Sequence, residues 1–143
     1  MWGLIILSVV SYLLAGLFNG VMDTLQFHYE SSPFPKGSLF WNPAISWRNK
    51  YKNGDSSQGP RFPGSTTIFV LLTDGWHLMK ALNLASYRLA LVFVGAAFWQ
   101  FSETPWQNTA SWAAIWVVLI FVHSAGFHLT YSIILKRRNN EGK

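Results

Sequence analysis

Cysteine is absent from this chain, and acidic residues are few: six Asp and Glu among 143 residues. Without thiols, disulfides and thiolate metal sites are excluded. Charge of either sign is scarce, 12% of residues, against roughly a quarter in an average soluble domain. No Lys or Arg precedes Lys36. The opening MWGLIILSVVSYLLAGLFNG therefore lacks the basic region of a cleavable signal and reads as a retained transmembrane helix. The basic residues do not line a recognisable helix or sheet for nucleic acid, so no nucleic-acid partner is expected.

Apolar surface is what the chain has in quantity. Half of its residues are hydrophobic, with eight Trp and eleven Phe, an aromatic load typical of chains at a lipid–water boundary. One domain's worth of chain this apolar reads as a single membrane domain, residues 1–143.

Three stretches reach the roughly 20 residues that a bilayer crossing takes. They are an N-terminal helix over 2–26, LNLASYRLALVFVGAAFWQF over 82–101, and SWAAIWVVLIFVHSAGFHLTYSIIL over 111–135, with a basic tail, KRRNNEGK, at 136–143. TTIFVLLTDGWHLMKAL is the doubtful segment, since it carries Asp74 near its middle. As a fourth span it would set Lys36, Arg48, Lys50, Lys52 and Arg61 opposite the basic tail. As an interfacial or re-entrant helix over 66–81 it lets all eleven Lys and Arg face the cytoplasm. A lipid-facing Asp at mid-membrane costs about 2.5–3.5 kcal/mol on insertion scales, which favours the second arrangement. The expectation is an all-α integral membrane protein of three transmembrane helices plus one interfacial or re-entrant helix, with four transmembrane helices as the alternative. Its expected location is the cytoplasmic (inner) membrane, multi-pass, with the C-terminus cytoplasmic.

On a helix Asp74 and His77 share a face, and Lys80 continues the stripe. A carboxylate beside an imidazole fixes its tautomer, as catalytic and ligand histidines require. Asp74 and His77 are thus the candidate catalytic pair. The structural alternative is a salt link, with Lys80 reaching to phosphate. At the end of the first span Asn19, Asp23 and Gln26 form a polar stripe, followed by His28. Asp23, His28, Asp74 and His77 at one depth would suit a divalent metal such as Zn, Mn or Fe. In the last span His128, which shares a face with Ser124 and Tyr131, is the preferred additional ligand over the deeper His123. Gly16 and Gly20 make a G-x-x-x-G, and Gly95-Ala96-Ala97 a small-residue face. Both suit packing within a three-helix bundle, or contact with a second copy or another membrane protein.

The loop over 27–65 is rich in proline and mixes Trp41, Trp47 and Tyr51 with Arg48, Lys50 and Lys52. Aromatics in the headgroup layer and cations on phosphate describe a segment lying on the membrane surface. Membrane lipids are its expected partners, with Arg48, Lys50 and Lys80 as headgroup contacts. Ser65 and Thr66 would cap the following helix and leave N–H groups for an anion.

The strings NGVMDTLQFHY, FWNPAISWRNKY and FPGSTTIFVLLTDGWHLMK resemble those of an uncharacterised family of small integral membrane proteins of bacteria and some of their phages. The resemblance covers about Asn19 to Lys80 and implies no activity, cofactor or catalytic residue. The histidine-box desaturases and hydroxylases are not resembled, since their H-x-x-H-H clusters are absent; the three-span anchors of respiratory complexes are similar in architecture alone. The functional expectation is an inner-leaflet Asp/His pocket that binds a metal ion or an anionic lipid headgroup, with metal-assisted or acid–base attack on a lipid-borne group as its catalytic form. Two other classes are a non-enzymatic accessory subunit and a phage-type pore-forming or lysis protein.

Overall fold

A 26-residue run without proline forms the first helix, α1 (Trp2–Phe27). The loop that follows holds a single short α-helical turn, α2 (Pro43–Ser46), among 3₁₀ turns. Two long helices complete the fold, α3 (Gly75–Trp99) and α4 (Pro105–His128), and α4 passes into a π-helical turn over Leu129–Ile134. The structure is a computed structural model that describes residues 2–99 and 105–135. The expected basic tail, and residues 100 and 101 of the expected second span, lie outside the described residues. Among the described residues three helical stretches are long and apolar enough to cross a membrane, Trp2–Phe27, Gly75–Trp99 and Ser111–Ile134. That is the architecture of a multi-pass membrane protein.

α1 is the central element, packed between α3 and α4. Small residues bring the backbones together where lipid offers no hydrophobic drive. A Cβ on Gly16 would lie 2.1 Å from the carbonyl oxygen of His123, and one on Gly126 would lie 2.5 Å from that of Leu13. The G-x-x-x-G of α1 is therefore used inside the chain, against α4. Towards α3 the contact is made by Ala15, Ala90 and Ala97, all fully buried, and by Asn83, whose side-chain amide donates to the carbonyl of Ala15 at 2.8 Å. At the bundle's middle Tyr12 meets Tyr87 edge-on at 5.4 Å, and Tyr87 stacks on His123 at 5.3 Å.

The segment over 66–81 differs from its expectation. Residues 66–73 are turns, with a 3₁₀ turn over Val70–Leu72. Residues 75–81 are the start of α3, which runs without a break through Leu82. Asp74 is the physical reason. Its side chain accepts from the backbone N–H of His77 at 2.9 Å, and its own carbonyl accepts the first helical bond, from Leu78. This is the geometry of an N-cap residue with the third helical residue, and it starts the helix where the apolar run would have carried it straight on. Ile68, Phe69 and Leu72 are left exposed at the end of the bundle. The last helix also starts earlier than expected, because Pro105 fits a first-turn position whose N–H has no helical partner.

Three chain ends meet on one side. His28, just past α1, shares a hydrogen bond with the hydroxyl of Tyr131 in the π-helical turn. The loop over 28–74, the start of α3 and the exit of α4 therefore occupy the same end of the bundle.

Candidate functional site

The loop is fastened to the start of α3 by named contacts. The N–H of Gly75 donates to the carbonyl of Phe40 at 2.8 Å. The Asn49 amide donates to the carbonyls of Leu39 (2.6 Å) and Thr73 (3.0 Å), tying both sides of the junction. Trp41 stacks on Phe34 with ring centres 4.9 Å apart, and its ring fills the place where a Cβ on Gly75 would stand. Further along, Tyr51 and Pro60 form an isolated antiparallel bridge, closed by a turn in which Asn53 and Gly54 take positive φ of 51° and 75°. In the same turn Asp55 accepts from the Ser57 backbone N–H, the Ser57 hydroxyl and the Gln58 amide, which together hold its carboxyl below the usual range.

This docking leaves an open groove of about 260 Å³ lined by Gln26, Pro43, Ser46, Trp47, Asp74, Trp76 and His77. Asp74 is 3% exposed. The Nδ1–H of His77 donates to it, at 2.7 Å from Oδ2 and 2.9 Å from Oδ1. The carboxylate thus does two things at once. It caps α3, where negative charge also complements the helix dipole, and it fixes the orientation of the imidazole through Nδ1, leaving Nε2 for another partner. Two cations stand on the tryptophans of the groove: Arg48 lies 5.6 Å from the centre of the Trp47 ring, and Lys80 lies 4.9 Å from that of Trp76. A second, polar hollow of about 250 Å³ is lined by Arg48, Asn49, Tyr51, Asn53, Gly54 and Arg61.

Of the expected site residues, Asp74 and His77 are brought together, with Gln26 of the α1 stripe beside them. Asp23, His28 and His128 do not line this groove. His28 is engaged with Tyr131, and His128 is exposed, with its ring edge against Phe127. Among the described residues no group of three His, Cys, Asp or Glu is placed to hold a metal ion. The five-residue ligand set is not assembled, and the reason is geometric: Gln26, not Asp23, is the residue that α1 brings to the groove, and His28 is turned to Tyr131.

Among the expected headgroup contacts, Arg48 and Lys80 pack on the groove's tryptophans, although neither lines the groove itself. Ser65 does not, being 0% exposed and donating its hydroxyl to the carbonyl of Lys50 at 2.7 Å. Thr66 is exposed but caps no helix, because the cap is Asp74. The Lys50 carbonyl serves the loop's own fold, accepting also from the N–H of Arg61. Ser46 stands in the groove as expected of a loop residue that reads the ligand, while Pro43 and Trp76 are the lining residues that sequence reasoning left out. No spacing marks Pro43, since the closed loop brings it there. Comparison of the chain with family models, curated proteins and solved structures gives no match.

The cap reading makes a prediction. Asn serves at an N-cap about as well as Asp, whereas Ala loses the bond. Asp74→Asn should change stability by a few tenths of a kcal/mol and Asp74→Ala by about 1 kcal/mol or more. An SDS titration of detergent-solubilised protein, followed by circular dichroism, compares them; equal losses in both variants would show that the carboxylate's charge matters and its capping bond does not.

Proposed function

We propose that the groove binds the anionic headgroup of a membrane lipid at the cytoplasmic face of the inner membrane, with the loop over 28–74 as its cover. One observation carries the reading: both tryptophans lining the groove hold a cation against their rings, Arg48 on Trp47 and Lys80 on Trp76. Aromatic bodies suit the headgroup layer, and the two cations frame a place for phosphate. His77, held by Asp74, presents the remaining imidazole nitrogen as a hydrogen-bonding group for the same ligand. Leu39, Ile68, Phe69 and Leu72 of the loop are exposed and would enter the interfacial layer as a monotopic segment does. Lys36, Arg48, Lys50, Lys52, Arg61 and Lys80 all belong to this end, which supports a cytoplasmic assignment for it and for the C-terminus.

Each Lys or Arg near an anionic surface contributes about 1 kcal/mol. Arg48→Ala/Lys80→Ala should therefore weaken retention of phosphatidylglycerol about thirtyfold at low salt and leave phosphatidylcholine unaffected. Native mass spectrometry of protein released from nanodiscs containing both lipids reads the bound species directly. Equal retention of the two lipids by the wild-type protein would sink the proposal.

The Asp74–His77 arrangement supports a second, catalytic form of the reading, in which His77 acts as acid–base on the bound group. Release of a headgroup product from phosphatidylglycerol vesicles, abolished in His77→Gln, distinguishes that from binding alone. No release by the wild-type protein leaves binding only.

A further inference from the structure

Arg88 sits near the middle of α3, about 20 Å from its start and about 16 Å from its end at 1.5 Å per residue. Its neighbour Tyr87 meets Tyr12 and His123, each of which lies midway along its own apolar span. Three helices thus place Arg88 at the level of the bilayer centre. The buried side of α3 carries Ser86, Ala90, Val94 and Ala97, and Arg88 lies about 160° from its centre at 100° per residue. Its side chain is exposed. Among the described residues no hydrogen bond, ion pair or ring contact reaches the guanidinium.

Arginine is among the costliest residues to leave facing acyl chains, and intramembrane charges normally pair or face protein. Lys80, the nearest residue of α3 proposed to meet headgroups, lies about 12 Å back along the helix, farther than an arginine side chain reaches when it snorkels. The same face offers room for a neighbour. Gly95, two turns along, has nothing within 4 Å of where a Cβ would be, and such open small residues let a second backbone approach closely. Leu84, Val92 and Trp99 flank the two, exposed.

We infer that the outward face of α3 around Arg88 and Gly95 docks a transmembrane helix of a partner protein that carries a carboxylate at mid-membrane. The described residues of a second copy do not meet that need. Of its six acids, Asp23 lies in the last turns of α1, about 16 Å along the helix from Tyr12. Glu30, Asp55 and Asp74 belong to the loop end. Glu103 and Glu141 fall outside the described residues, in the sequence beyond Trp99 and Leu135. Among the described residues no acid of a second copy stands at this level, and the acid is assigned to another protein, which gives the accessory-subunit class a defined contact. This inference is independent of the lipid groove.

The test uses the full chain, donor-labelled, in phosphatidylcholine vesicles with acceptor-labelled synthetic Leu/Ala transmembrane helices. A helix with one central Asp should associate about tenfold more tightly than the same helix with Leu there. Arg88→Leu should erase that preference. Arg88→Asp should transfer it to a helix with a central Lys, a reversal that a merely unfolded variant would not produce. Equal energy transfer to the Asp and Leu helices, the result expected if Arg88 reaches lipid phosphate, would overturn the inference, as would an Asp preference that survives in Arg88→Leu.

Discussion

Gly16→Val should unpack α1 from α4 and lower stability by about 3 kcal/mol, the upper end of what overpacking costs. A Cβ at this position meets the His123 carbonyl oxygen at 2.1 Å, with Phe127 N at 2.9 Å. Both obstacles are backbone, so no rotamer change relieves the clash and the helices have to separate. Separation also removes the contacts of Gly20 and Gly126, which share the crossing. Gly95→Val supplies the control. It places the same β-branched side chain in a long helix where nothing lies within 4 Å, so only the difference in helix propensity remains, a few tenths of a kcal/mol. SDS titration of the two variants under one set of conditions compares them. A loss at Gly16 no larger than at Gly95 would mean that the α1–α4 crossing is not the close contact described.

The spans were legible because length and hydropathy alone decide them. SWAAIWVVLIFV has no charged residue to compete with that signal, and Gly16 and Gly20 were readable as a contact face, although whether that contact lay within the chain or between copies was not. The junction at 66–81 was misread for an identifiable reason. The apolar run IFVLL argued for continuity into Asp74, and that outweighed the local signal of T-D-G-W-H, an N-cap residue with its partner three positions later. The tryptophan–cation pairs divide in the same way. Trp76 and Lys80 are four apart on a helix and readable as neighbours, whereas Trp47 and Arg48 depend on the loop's own course. The π-helical turn that brings Tyr131 to His28 has no sequence signature here. Arg88 was passed over because it was counted with the cytoplasmic cations. Its depth emerges only when Tyr12, Tyr87 and His123 are seen to share a level.

Gly75→Ala sets two effects of opposite sign against each other at the groove itself. By helix propensity, Ala in place of Gly stabilises a helix by up to about 1 kcal/mol, and less at a first-turn position. By packing, the added methyl would lie 2.2 Å from Cε3 of Trp41 and 2.6 Å from Cζ3. Trp41 has little freedom to retreat, being stacked on Phe34 and edge-on to Phe40 at 5.0 Å. Overpacking of about 1–3 kcal/mol exceeds the propensity gain. The loop should therefore lift from α3 while the three long helices persist. Circular dichroism should change little, and trypsin should cleave after Arg48, Lys50, Lys52 and Arg61 far faster than in the parent protein. Because the Gly75 N–H that bonds the Phe40 carbonyl is retained in Ala, the effect isolates the ring contact. Trimming that ring tests the assignment: in Gly75→Ala/Trp41→Leu the methyl has room, so the double variant should lose less than the sum of the single losses. Additive losses, or a Gly75→Ala protein as resistant to trypsin as the parent, would mean that the loop is not held on α3 by Trp41. The cover proposed for the headgroup groove would then have no anchor.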